Sequence, residues 1–112
     1  MQLNVLKYLL DIESVVSEIE LIKLKANNDF SVFKSDLILR RAAERDLEII
    51  GEAIRNILAI EPTIEITSAK NIIGLRNLIS HAYDSIEPEL IWGIIQHNIP
   101  TLSGEILKIK SR

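Results

Sequence analysis

The chain contains no cysteine, three prolines and four glycines, and aromatic residues make up 4% of it. Without cysteine there are neither disulfides nor thiolate metal sites, a composition that suits the reducing cytoplasm. The two histidines, His81 and His97, fall short of the donor set of a typical zinc site, so neither a metal nor a cofactor is expected. Charged residues interrupt every apolar run well short of the ~18 residues a membrane-spanning helix needs, and no basic stretch precedes an apolar one at the N-terminus. The expectation is a soluble, cytoplasmic chain with no membrane partner. Positive charge is also scarce: 13 Lys and Arg stand against 16 Asp and Glu, a net charge of −3. The whole-molecule field therefore does not attract nucleic acid, and any RNA or nucleotide must be held by a local cluster.

What is present is aliphatic. Hydrophobic residues make up 47% of the 112, with Leu and Ile dominant, which suits helix-on-helix packing and one domain spanning residues 1–112. Val5, Leu9, Ile12, Val16 and Ile19 recur at helical spacing, so a first amphipathic helix is expected over roughly residues 3–25, ended by Ala26-Asn27-Asn28-Asp29. From about Phe30 to Ala59 no proline intervenes, which predicts one long helix with Leu39, Ala42, Ala43, Ile49, Ile50, Ala53 and Ile57 on its apolar face. Its charged face offers pairs such as Arg40 with Glu44 and Glu52 with Arg55. Asp46 intrudes on the apolar stripe and Gly51 permits another backbone to come close, two hints of a packed interface or a buried ion pair. Pro62 ends this helix. Thr67 or Ser68 should cap a third that runs to about Ala82, and Pro88 should open a fourth, kinked by Pro100. The sum is an all-α, four-helix up-and-down bundle.

The third helix concentrates the chemistry, with Arg76, Asn77, Ser80, His81 and Tyr83 inside eight residues. On a helical wheel Ile72, Leu75, Leu78, Ile79 and Ala82 supply the core contact, while Asn77 and His81 point nearly opposite. Arg76 and His81 lie roughly 140° apart on an ideal helix, so one straight helix does not easily bring both to the same atom. An unwound turn, a folded-back arginine or a second copy of the helix would bring them together. A two-fold dimer, which merges two such patches into one cleft, is the attractive solution. Without metal, an imidazole of pKa near ~6.5 serves as base or acid in RNA cleavage, and a guanidinium stabilises the phosphoryl oxygens. Asn77, one turn from His81, is placed to fix the imidazole ring.

Arg76, Asn77 and His81 match the R-[polar]-x-x-x-H motif of the HEPN nucleases, and Tyr83 extends it to R-x4-H-x-Y. That longer form resembles the HepT branch, the toxin half of the HepT/MNT toxin–antitoxin systems. Arg40-Arg41-Ala42 through Ile49-Ile50-Gly51-Glu52-Ala53 resembles the second-helix signature of the family, and Gly74-Leu75-Arg76-Asn77 through Tyr83-Asp84 the third. The likeness therefore covers nearly the whole chain. A bare R-x4-H is common by chance, whereas both signatures in order are specific. The resemblance implies a homodimeric, metal-independent RNA endonuclease with Arg76 and His81 catalytic, and Asn77 and Ser80 of the same helix are expected in support. It also implies silencing by a cognate minimal nucleotidyltransferase antitoxin that transfers AMP from ATP to Tyr83.

The competing expectation is a non-catalytic helical module that binds a nucleotide or a partner nucleotidyltransferase through the same surface. The plainest alternative is a capped helix end whose Arg76 pairs a surface carboxylate. His97 is expected on an outer face without companions, and Trp92 and Tyr8 as packing or interface residues rather than stacking platforms for bases.

Overall fold

Val5, Leu9, Ile12, Val15, Ile19 and Ile22 line the buried side of α1 (Leu3–Lys25), whose bounds agree with the apolar periodicity. A computed structural model describes residues 1–81 and 86–112, the side chains of Ser80 and His81 excepted. Helix α1 stops where Asn27 and Asn28 take φ of 57° and 51°. The Asn28 amide then donates to the Lys23 carbonyl at 2.8 Å and that of Asn27 to the Leu24 carbonyl at 3.0 Å. This pairing satisfies carbonyls that the helix end would otherwise leave bare, and asparagine tolerates the left-handed backbone it requires.

The long second helix expected from the sequence is two helices, α2 (Phe30–Ser35) and α3 (Leu37–Ile60). Asp36 makes the break: its backbone is extended, and its carboxylate accepts from the Ile38 and Leu39 amides at 3.0 and 3.1 Å. Asp29 caps α2 in the same way through Ser31, bonds that hold its carboxyl below the usual carboxylate range. With the chain free to turn at Asp36, Phe33 swings inward and stacks 4.9 Å from Trp92, which confirms Trp92 as a packing residue.

The third rod is α4 (Ala69–His81). Ile64 and Ile66 bury themselves in the link before it. Thr67 and Ser68 are tied to the far end of the chain: Thr67 donates through its amide and hydroxyl to Glu105, and the Asn98 amide donates to the Ser68 hydroxyl at 2.8 Å. The fourth rod comprises α5 (Pro88–Gly93), a π-helical turn over Ile94–Asn98 and α6 (Ile99–Lys110). Pro100 falls in the first turn of α6, and the Ile99 amide just before it reaches back to the Ile94 carbonyl. A widened turn thus takes up the helix bond that proline cannot make. Among the described residues the architecture is an all-α bundle, with α3 packed against both α1 and α4 and α6 against α1. The shortest dimension of 19 Å corresponds to two helix diameters, so the rods lie in two layers.

Two expected pairings change. Glu44 pairs with Arg41 at 3.0 Å rather than with Arg40, and Glu52 reaches across to α4 rather than along its own helix to Arg55. Ala42, expected on the apolar face, is exposed, while Leu47 and Ile54 join the core.

Asp46 is 5% exposed on the apolar side of α3. Burial, and next the facing Glu18 carboxyl of α1, push its pKa up to about 6. The folded protein therefore holds this proton more tightly than the unfolded chain does. The contribution of Asp46 to stability is full below about pH 4 and is lost as pH rises through about 6. Asp46→Asn keeps a donor for Glu18 without the buried charge. It should stabilise the fold by up to about 3 kcal/mol at pH 8 and by nothing below about pH 4, as urea unfolding at both pH values would measure.

Candidate functional site

Gly51 determines where Arg76 sits. A Cβ built on Gly51 would lie 2.6 Å from the Arg76 Cβ, 3.1 Å from its Cγ and 3.1 Å from the Ile72 carbonyl oxygen. Glycine alone lets α4 settle this close to α3, with Ile72 and Leu75 buried on either side of the contact. The stem of Arg76 lies in the gap that the missing side chain leaves. Its guanidinium emerges beside Glu52, the next residue of α3, with Nη2 2.6 Å from the Glu52 carboxylate. Nη1 donates to the Asn77 Oδ1 at 3.1 Å. The guanidinium thus has a hydrogen bond at Nη1 and an ion-pair contact at Nη2, while its buried Nε and the facing Glu52 Oε2 have no hydrogen-bond partner.

The arginine side chain is 22% exposed and faces an open cleft of about 400 Å³ between α1, α3 and α4, lined by Tyr8, Arg45, Glu48, Glu52, Asn56 and Arg76. Arg45 pairs with Glu48 at 2.9 Å along α3, and Lys7 of α1 lies 5.1 Å above the Tyr8 ring and 3.1 Å from Asp11. Each cation at the cleft has a carboxylate beside it, so the local field is balanced and an incoming anion is drawn by specific donors rather than by bulk charge. A second hollow of about 650 Å³ lies between α4 and α5, where Lys70, Gly74, Leu78, Leu90, Gly93 and His97 form much of the wall. His97 is exposed there, on an outer face as expected, although Lys70 and Asn98 share the wall with it.

The comparisons with known proteins bear on this geometry directly. The family model of the HepT-like ribonucleases matches residues 5–109. The chain belongs to the HepT-like ribonuclease family. It is 32% identical over 78% of its length to a Methanocaldococcus jannaschii protein named "Putative RNase MJ1380", covering 81% of that protein. It is 33% identical over 88% of its length to "Putative RNase TTE0752" of Caldanaerobacter subterraneus, covering 89% of it. To "Probable ribonuclease HepT" of Thermococcus cleftensis it is 30% identical, over 88% of this chain and 92% of that one. No solved structure matches the chain at a significant level.

Of the residues singled out in the HepT-like motif, Arg76 and Asn77 are held together at the cleft. His81 closes helix α4, while its side chain, that of Ser80, and Tyr83 lie outside the described residues. Asn77, expected to orient the imidazole, spends its carbonyl oxygen on Arg76 instead, which leaves its amide N–H groups for any such role. Leu78, assigned to the core on the wheel, is 52% exposed, because the buried face of α4 runs through Ile72, Leu75 and the stem of Arg76. Glu52, expected to pair with Arg55 along its own helix, is the residue whose place at the site sequence reasoning missed. Its position directly after a mid-helix glycine was the available signal.

Gly51→Ala tests the wedge. Helix propensity alone favours alanine by up to about 1 kcal/mol. At this position the new methyl meets a side-chain stem and a backbone carbonyl, and the expected outcome is a loss of about 1–3 kcal/mol. Gly104→Ala in α6, where a Cβ meets nothing within 4 Å, is the control and should stabilise slightly. Urea unfolding of the two variants should therefore shift in opposite directions.

Proposed function

We propose that this HepT-like protein is a metal-independent RNA endonuclease that acts as the toxin of a toxin–antitoxin pair. The observation that carries the reading is the orientation of Arg76, the motif arginine, whose terminal nitrogens are fixed by Glu52 and Asn77 at the edge of an open cleft. Family membership and the names of the relatives support the ribonuclease activity.

The active site is composite, formed where two copies of the chain bring their Arg76 and His81 together. One imidazole takes the proton of the ribose 2′-hydroxyl as that oxygen bonds to phosphorus. The second, protonated, gives its proton to the departing 5′-oxygen as the P–O5′ bond breaks. Arg76 holds the non-bridging oxygens as negative charge builds on them. The products are a 2′,3′-cyclic phosphate and a free 5′-hydroxyl, so no water or metal enters the bond-breaking step. Asn77 and Ser80 support the geometry from the same helix.

Silencing follows from charge. A minimal nucleotidyltransferase joins the AMP moiety of ATP to the Tyr83 hydroxyl and releases pyrophosphate, leaving an anionic nucleotide two residues from His81. The phosphate of that nucleotide competes for the Arg76 donors that the substrate needs.

Wild-type protein should cleave single-stranded RNA in excess EDTA and leave cyclic phosphate ends, and His81→Ala or Arg76→Ala should each lower the rate at least ~100-fold. Folded wild-type protein that leaves RNA intact would reduce the site to a binding module. After co-expression with a minimal nucleotidyltransferase, intact mass should rise in whole AMP units in wild type and stay unchanged in Tyr83→Phe, and the modified protein should lose cleavage.

A further inference from the structure

Glu52 is 42% exposed as a side chain, so the ion pair it forms with Arg76 adds little to the stability of the fold. Its value lies elsewhere. A flexible arginine on a helix surface samples many rotamers and loses that freedom when it binds a phosphate. Here the freedom is removed beforehand. The Cβ and Cγ lie against Gly51, Nη2 is held by Glu52 at 2.6 Å and Nη1 by Asn77 at 3.1 Å. The Glu52 contact is an ion pair without a hydrogen bond, so Nη2 keeps both of its N–H groups and Nη1 keeps one. Two donors, one per terminal nitrogen, are what an end-on, bidentate contact with two oxygens of one phosphate requires.

We propose that Glu52 is the positioning residue of the ribonuclease reaction, holding the Arg76 guanidinium by charge so that one N–H of each terminal nitrogen meets a non-bridging oxygen of the scissile phosphate. This rests on the ribonuclease reading above. Glu52 does not touch the substrate. Its carboxylate stands close to where the phosphate arrives and opposes ground-state binding, while its grip on Nη2 keeps the guanidinium aligned as charge grows on phosphorus. It therefore trades affinity for rate, and that trade separates positioning from support of the fold. A neutral amide at this position removes the charge attraction that holds Nη2, and loss of alignment by even about 1 Å costs up to ~100-fold in rate.

The test compares Glu52→Gln, Glu52→Asp and wild type in cleavage of a defined single-stranded RNA. RNA affinity is measured in the His81→Ala background so that the substrate survives. Glu52→Gln should lower kcat by about 10- to 100-fold while its Kd for RNA stays equal or falls, because a negative charge has left the phosphate site. Glu52→Asp should recover part of the rate. In the Arg76→Lys background, Glu52→Gln should cost little further, since the group it positions is already gone. A wild-type kcat in Glu52→Gln overturns the proposal, and so does a full additional loss in the Arg76→Lys background. A rate loss that only follows a fall in melting temperature also overturns it. If wild type cleaves and Glu52→Gln cleaves equally well, the ribonuclease reading stands and the positioning role fails alone. A folded wild type that never cleaves removes both.

Discussion

The absence of one side chain governs the arrangement of the site. At Gly51 the distance between α3 and α4 is set by a Cα, and the Arg76 stem occupies the space a methyl would take. Everything at the cleft follows from that separation. The pitch of α3 carries Glu52 to the side of α4 at the height where the guanidinium emerges, and the pitch of α4 presents Asn77 on the other side. A larger residue at position 51 would not merely crowd the core. It would move α4 as a body, and a shift of a few tenths of an ångström in the backbone is amplified at the tip of a long side chain.

The same contact explains how an acidic chain can hold a cation at the edge of an open cleft. With a net charge of −3, the protein gains nothing from long-range attraction of a polyanion. Arg76 is held between helices and partly withdrawn from solvent at 22% exposure, and its partners are short-range. In that setting affinity for an oxyanion comes from directed N–H groups and scarcely from net field. Two other cations of the α3 face are neutralised in pairs, Arg41 with Glu44 and Arg45 with Glu48. Of the arginines that line the cleft, Arg45 is thus offset by Glu48 along its own helix, while Arg76 faces the opening with its terminal nitrogens.

Much of the fold was legible because apolar periodicity is a strong signal where helices are long. Residues 3–25 read as a helix and are one. The break at Asp36 was not legible to a rule based on proline and glycine, since a capping aspartate interrupts a helix by satisfying amides rather than by removing them. The Asp36 signal was nonetheless in the sequence, as was its echo at Asp29. Pro100 was read as a kink, and the π turn that precedes it is a feature that local sequence does not decide. The intrusion of Asp46 on the apolar face and the closeness at Gly51 were legible, whereas the partner of Asp46 is the Glu18 carboxyl rather than the cation that a buried ion pair would need. The Arg76–Glu52 pair was not legible, because it joins residues on different helices and its existence depends on the interhelical distance that Gly51 permits. Leu78 was misassigned for the same reason: a wheel assumes that apolar residues point inward, and here the aliphatic stem of an arginine has taken part of the inward stripe.

That displacement links the fold to the chemistry. Arginine stems commonly cover apolar surface while the charged head reaches solvent, and the usual benefit is packing. In α4 the stem is clamped at its base by Gly51 and its head at both terminal nitrogens, so little of the rotamer freedom that normally accompanies such a residue survives. Under the ribonuclease reading this divides the work of catalysis between levels of organisation. Alignment of the charge-stabilising group is complete within a single chain, encoded by three residues on two helices. What a second copy must add is the proton-transfer partner, whose demands on distance are met by hydrogen bonding as substrate binds. A site built this way needs from its dimer contact only that two already aligned halves meet, a far looser requirement than building each half at the interface itself.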